Sequence, residues 1–208
     1  CSGYSPSENC YYFSSLRASL KQDSVLKSVS CGMGSISLKQ DFYVSLSGEN
    51  AQCELKGINV LSKNLQSHVN VHMEHSAPHC LSNQLFKNVV SDAGKTSFEG
   101  KIFVHSKAQK TCAYQLNNNL LIGKKALSYS KPNLEIFADD VKASHGATVA
   151  QLDSEHLYYL RSRGLTLPRA RQLLIKGFIS EIIDEAFLGS FKNRILKLIT
   201  NHIQDENA

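Results

Sequence analysis

Between about Ile36 and Val149 the sequence is a series of short two-periodic segments separated by turn residues, and no separator is a tight hairpin turn. Phe42, Val44 and Leu46 alternate with Tyr43 and Ser45, and Val69, Val71 and Met73 alternate with Asn70 and His72. A period of two puts successive side chains on opposite faces of a strand. Further extended runs are expected at Lys101 to His105, Asn119 to Gly123 and Leu134 to Ala138. Ser47-Gly48-Glu49-Asn50, Asp92-Ala93-Gly94, Asn117-Asn118-Asn119 and Lys131-Pro132-Asn133 carry turn chemistry. Many short strands with close turns predict a barrel, a sandwich or a β-solenoid. The Asn-Gly and Asp-Gly pairs of two-residue hairpins are missing. Stacked parallel strands need none, and a run such as Asn117 to Asn119 can then form a side-chain ladder. Periodicity leaves all three architectures open.

After Asp153 the pattern becomes helical. Asp153 is a suitable N-cap for a short helix through Arg161, and Gly164 suits its end. Thr166 with Pro168 opens a second helix, with apolar positions at Ala170, Leu173, Leu174, Phe178, Ile182 and Ala186. A third stripe follows Gly189-Ser190 in Phe191, Ile195, Leu198, Ile199 and His202. The chain therefore divides into a strand-rich unit, 1–152, and a helical unit, 153–208. Packing against each other or the β body is the first use of such stripes, and a partner surface is the second.

Composition excludes several function classes. The 208 residues are 42% hydrophobic and 20% charged, a globular balance. No apolar run approaches the ~20 residues of a membrane helix. Lys and Arg exceed Asp and Glu by 23 to 18 without forming a dense basic stripe, so no nucleic-acid partner is expected. The six cysteines, Cys1, Cys10, Cys31, Cys53, Cys80 and Cys112, contain no CxxC pair, which argues against a zinc ribbon or a redox dithiol. Their low density and the lack of a recognisable signal peptide predict reduced thiols in a cytoplasmic protein.

Candidate sites are few. On a helix His68, His72, His75 and His79 would share one face able to hold zinc. The alternation of Val69, Val71 and Met73 instead predicts a strand, and Pro78 opposes a helix. His68 and His72 then share a face while His75 points away, so ordinary solvated or hydrogen-bonded histidines are expected. Asp139-Asp140 predicts a turn held by aspartate side chains. His145, between Ser144 and Gly146, sits in a tight polar context where a ring nitrogen can reach a metal, although a lone histidine is more often structural. Gly94-Lys95-Thr96 lacks the earlier glycine of a phosphate loop, and no GxSxG elbow occurs. With no nucleophile–base pair to nominate, an enzyme is not expected.

One stretch carries a resemblance. LEIFADDVKASHGATVAQLDSEHLYYLRSRGL, from Leu134 to Leu165, closely resembles the SufD branch of the SufB/SufD family of the SUF iron–sulfur cluster assembly machinery. His75 to His79 with Ser82, Gln84 and Lys87 is similar to the family's His-x-x-Pro stretch. Phe98 to Ile102, Ala108 to Thr111 and Asn119 to Leu121 match between them, so the likeness runs from about His72 to Ile183. The Ser-His-Gly-Ala-Thr element separates this branch from the SufB branch.

The resemblance implies a mainly β protein, a right-handed parallel β-helix followed by a C-terminal α-helical domain. It implies a non-catalytic scaffold that pairs with a SufB-like subunit through the β-helix and binds a SufC-like ABC-type ATPase through its helices. The ATPase contact region then includes Leu157, Tyr158, Arg161 and Arg163. It also implies a transient iron–sulfur cluster at the partner interface, with His145 as a shared iron ligand and no cofactor held tightly by this chain alone. A neutral imidazole can ligate iron beside thiolates of another subunit, and a mixed donor set suits a cluster that must leave. A homodimer is the alternative assembly, and a stand-alone β-solenoid interaction module of another pathway is the alternative function. Ala143 stands where the family has a cysteine, and Cys112 where an acidic residue commonly follows Lys-Thr. The family's long N-terminal region is mostly absent, which implies a shortened chain.

Overall fold

The computed structural model describes residues 10–33 and 35–185. Its strands are β1 (Tyr11–Leu20), β2 (Val25–Met33), β3 (Ser37–Leu46), β4 (Gln52–Leu61), β5 (Gln66–His75), β6 (Leu81–Val90), β7 (Lys95–Val104), β8 (Thr111–Leu121), β9 (Leu127–Ile136) and β10 (Val141–Gln151). Two helices follow, α1 (Ser154–Ser162) and α2 (Leu167–Glu185). The odd strands form one five-stranded sheet, in the order β1-β3-β5-β7-β9, and the even strands a second, β10-β8-β6-β4-β2. All pairs are parallel. Of the three architectures the sequence left open, the chain adopts the β-solenoid, with about five turns. Ser37 opposite Gln66 and Gln66 opposite Lys95 set a 29-residue coil.

The corners are made by L-residues in the left-handed region. Asp23, Asn50, His79 and Lys110 have φ between 57° and 59°, and at the opposite corner Lys63 and Asp92 have φ of 53° and 49°. Each such residue costs about 1–2 kcal/mol in isolation, and bonds to the next coil offset this. The Asp23 amide donates to the Glu49 carbonyl, Asn50 to Pro78, His79 to Gln109 and Lys110 to Asp140. Asn50 Nδ2 also donates to Asp23 Oδ1 at 2.8 Å.

Several local expectations change. The body begins well before Ile36, with β1 and β2. The runs placed at Lys101 to His105, Asn119 to Gly123 and Leu134 to Ala138 overlap the C-terminal ends of longer strands, β7, β8 and β9. Ser47–Asn50 and Asp92–Gly94 turn as expected, but Asn117–Asn119 and Lys131–Asn133 lie inside β8 and β9. Asn119 is in register with Asn88, and Asn88 with Asn59. Asn59 Nδ2 donates to Asn88 Oδ1 at 2.8 Å, and Asn88 Nδ2 to Asn119 Oδ1 at 2.7 Å. The ladder exists, but it runs along the solenoid axis, and the stacked amides replace the local bonds that would make a turn. Pro132 is tolerated because β9 is an edge strand.

The interior is closed by Leu46, Leu55, Met73, Phe86, Ile102 and Val104, all almost fully buried. A second core lies outside the even-strand sheet, where Ile58, Val60, Leu85, Val89 and Leu120 meet Ile175, Ile179, Ile182 and Ile183 of α2. A parallel sheet is stable when its faces are covered, and α2 covers this one. Of the anticipated helix stripe, Ala170 and Ile182 are buried, whereas Leu173 is 49% exposed. Ile175, Ile179 and Ile183 take its place, because the sheet and not the helix selects which side is buried. Ala186 and the stripe from Phe191 to His202 lie outside the described residues.

Lys87 pins α2 to the sheet. Its Nζ, on a side chain 7% exposed, donates to the Phe178 carbonyl at 2.8 Å and to Glu181 Oε2 at 2.5 Å. It also lies 5.1 Å from the centre of the Phe178 ring. The two partners are unequally buried, so the two truncations should be unequal. Glu181→Ala leaves a buried ammonium short of its counter-charge and is expected to cost about 2 kcal/mol, whereas Lys87→Met keeps the packed stem and should cost under ~1 kcal/mol. Urea midpoints of the two variants check this, and equal losses would contradict it.

Candidate functional site

His145 occupies the last coil. Strand β10 pairs with β8 on one side and, among the described residues, leaves its other edge unpaired, as does β9 in the opposite sheet. Val141 and Ala143 pack against the interior core, so the alternate positions 141, 143 and 145 form the inward-facing row. Gly146, on the outward row, lies against Leu116, where an added Cβ would come within 3.0 Å of Leu116 Cδ1. His145 is in register with Gln115, and Gln115 with Gln84. Both glutamines are almost fully buried, and Gln115 Nε2 donates to Gln84 Oε1 at 2.9 Å. His145 is exposed because no further described coil covers its row.

The strand carrying it is fixed to its neighbour. Asn119 Nδ2 donates to the Thr148 carbonyl at 3.0 Å, and Thr148 Oγ1 to Asn118 Oδ1 at 2.9 Å. Around the open end lie exposed apolar side chains, among them Tyr129, Phe137 and Val149. Unpaired edges bordered by such groups are a template for another chain's strands.

The helical candidates lie just beyond. Asp153 caps α1 as expected, accepting the Glu155 amide at 2.8 Å. Gly164 ends that turn with a φ of +90°. Tyr158 is 76% exposed, Arg161 and Arg163 are exposed and Leu157 is half-buried. The Arg163 guanidinium sits 5.3 Å from the centre of the Tyr159 ring. Nothing in α1 is fully buried, and a nine-residue helix of that kind is marginal alone.

The other candidates disperse. His68 and His72 lie on the outer face of β5, where His68 Nδ1 is 2.7 Å from Ser97 Oγ and the His72 ring 6.4 Å from that of Tyr43. His75 is inside the solenoid, its Nε2 2.9 Å from Ser82 Oγ, and burial pushes its pKa down to about 4. His79 is a corner residue near Glu49. Among the described residues no three His, Cys, Asp or Glu side chains come together to hold a metal. Asp139-Asp140 lies at a bend, but backbone and Gln109 hold it: the Asp140 amide donates to Gln109 Oε1 at 2.9 Å. Thr96, in the phosphate-loop echo, is buried in β7. Cys31, Cys53, Cys80 and Cys112 are free thiols, and burial, with Glu54 alongside, pushes Cys53 up to about 12. Among the described residues no helix is long and apolar enough to cross a membrane.

Two residues that sequence reasoning missed now belong to the picture. Gln115 was an unremarked member of an alternating run, and Glu181 a charge on a helix. Their partners, Gln84 and Lys87, stand 31 and 94 residues away, so no local signal marks either contact.

Comparison with known proteins identifies relatives of this sequence. The family model for the SUF system FeS cluster assembly SufBD core domain matches residues 4–178. The chain is 39% identical over 180 residues to the iron-sulfur cluster assembly protein SufD of Escherichia coli, covering 86% of this chain and 43% of that protein. It is 43% identical over 134 residues to a SufBD family protein of Synechocystis, covering 64% of this chain and 29% of that one. A SufBD family protein of Mycobacterium leprae is 29% identical over 205 residues, covering 94% of this chain and 52% of that one. The chain thus spans about half, or less, of the length of these relatives.

Proposed function

Since the chain belongs to the SufBD core family of the SUF iron–sulfur cluster assembly system, we propose that it works as a SufD-type, non-catalytic scaffold. In this reading residues 1–152 form the docking platform, and the open edges of β9 and β10 pair with a SufB-like subunit. Residues 153–208 engage a SufC-like ABC-type ATPase, with Leu157, Tyr158, Arg161 and Arg163 in the contact. His145 contributes one imidazole donor to a nascent cluster, which is cargo, and the remaining donors come from the partner.

The observation that carries the reading is the position of His145. It ends an inward-facing row whose earlier glutamines are buried, on a strand edge with no described partner. A donor there, exposed among the described residues, is closed from solvent when another chain caps the coil. Ala143 beside it supplies no thiol, so this chain offers nitrogen and not sulfur at the site. Such a donor set holds iron less firmly than a thiolate cage, which suits assembly followed by transfer.

The test is reconstitution with SufB-like and SufC-like subunits, reading complex stoichiometry and cluster formation. A defined complex is expected. His145→Ala should leave the fold and the complex intact while cluster yield falls about tenfold or more. Unchanged yield would remove His145 from the chemistry. Failure to form any complex would sink the scaffold reading in favour of an interaction module of another pathway.

A further inference from the structure

The row that ends at His145 has a direction. Gln84, Gln115 and His145 stand in register on successive coils, and the Gln115 amide nitrogen donates back to the Gln84 oxygen at 2.9 Å. In this bond the donor points to the preceding coil, and Gln84 Nε2 itself has no hydrogen-bond partner among the described residues. The next acceptor in the row is Gln115 Oε1, which is buried and has no hydrogen-bond partner among the described residues. Leaving such an acceptor unpaired costs about 1–3 kcal/mol, so the position selects for a donor.

The amide is closely packed against the facing coil. A Cβ at Gly100 would lie 2.2 Å from Gln115 Nε2 and 2.7 Å from Oε1, so the amide is seated directly on the glycine backbone. Gly100 and Gln115 face each other across the thin interior, and Pro132, the next residue in the Gly100 register, has no N–H to offer. The residue next along the Gln115 register is His145, about 4.8 Å away strand to strand. A neutral imidazole carries one N–H donor and one lone pair.

We propose that Gln115 is a positioning residue for His145: its Oε1 accepts one ring N–H and leaves the other ring nitrogen as a free lone pair at the open end. The bond is not made in this structure, where His145 is exposed. A ligand histidine is commonly held by a hydrogen bond from its second nitrogen, which sets tautomer and ring orientation. The proposal rests on the reading of His145 as a donor to the cluster, but its geometric content can be checked separately.

The measurement is the tautomer of His145 by long-range 15N correlation in the intact chain at a pH where the ring is neutral. One tautomer is expected to dominate in the wild type. In Gln115→Leu the tautomer ratio should fall about fivefold, the worth of one neutral hydrogen bond. Gln115→Glu keeps an acceptor at the same place and should restore the bias. A wild-type ratio equal to that of free histidine, or a bias that Gln115→Leu leaves in place, would overturn the proposal. Loss of the bias in Gln115→Glu would overturn it too, and that variant decides the matter even if Gln115→Leu does not fold. In the reconstituted complex Gln115→Leu should also lower cluster yield about tenfold. If His145→Ala leaves the yield unchanged while the tautomer responds to Gln115, the cluster reading fails and the positioning contact stands. The reverse pattern rejects the positioning contact alone.

Discussion

Replacing Phe86 with alanine is expected to destabilise the chain by about 4 kcal/mol, the upper part of the range for emptying a buried aromatic site. Phe86 is 1% exposed and sits in the middle of the interior, with the Phe42 ring centre at 5.9 Å and the Phe98 ring centre at 5.2 Å. It therefore ties the odd-strand sheet to the even-strand sheet across the solenoid. On the adjacent coil Gly57 makes room for it, since a Cβ there would stand 2.4 Å from Phe86 Cδ1. Neighbouring side chains are held in a stacked register and cannot collapse into the space, which is why the cavity term should be large. Domains of this size are stable by about 5–15 kcal/mol, so the loss is a large share of the total. Urea unfolding of Phe86→Ala beside Tyr129→Ala checks it. Tyr129 is 62% exposed and should cost under ~0.5 kcal/mol. Comparable losses at the two sites would mean that the interior is not the packed core described here.

The second large effect is a loss of stability in mild acid centred on His75. Its imidazole is fully buried, beside Ser82 Oγ, and desolvation lowers its pKa from 6.5 to about 4. The native state thus refuses a proton that the unfolded chain accepts. Stability from this group is complete above pH 6.5 and is lost as pH falls towards 4, by about 3 kcal/mol in all. Glu54 and Glu74, held below the ordinary carboxylate range by Lys56 and His105 respectively, lose their contributions only below about pH 4.5. The interval between pH 6.5 and 4.5 therefore lies above the loss from these two carboxylates. Urea midpoints across it should drop steeply in the wild type and much less in His75→Asn, which keeps a polar neighbour for Ser82. A flat wild-type profile would show that the ring is hydrated and not buried.

How far the sequence could be read depended on whether the signal was local. The alternation around Val69 to Met73 predicted which of His68, His72 and His75 share a face, and β5 has that arrangement. The N-cap at Asp153 and the stop at Gly164 were legible because a cap involves residues two or three apart. Strands β1 and β2 were missed because their inward positions include Ser14, Ala18, Ser28, Ser30 and Gly32, too weakly apolar to stand out by alternation. Asn117 to Asn119 carried the chemistry of both a turn and a ladder, and only the presence of Asn88 on the next strand decides between them. Leu173 and Ile179 fit helical periods equally well; which of them is buried depends on the sheet beneath α2.

The motif around His145 was readable as a motif, while its meaning as a site was not. From sequence alone follow the β character, the turns at Ser47–Asn50 and Asp92–Gly94, the switch to helix after Asp153 and the family likeness. Each is encoded in neighbouring residues, whose preferences act without knowledge of the rest of the chain. Only the tertiary structure decides that His145 stands at the open end of a row of glutamines, that His75 is sealed inside, and that Lys87 meets Glu181. Those facts depend on register between strands 29 or more residues apart. A shift of one residue would turn every inward side chain outward, and the choice is made by the summed packing of all the coils.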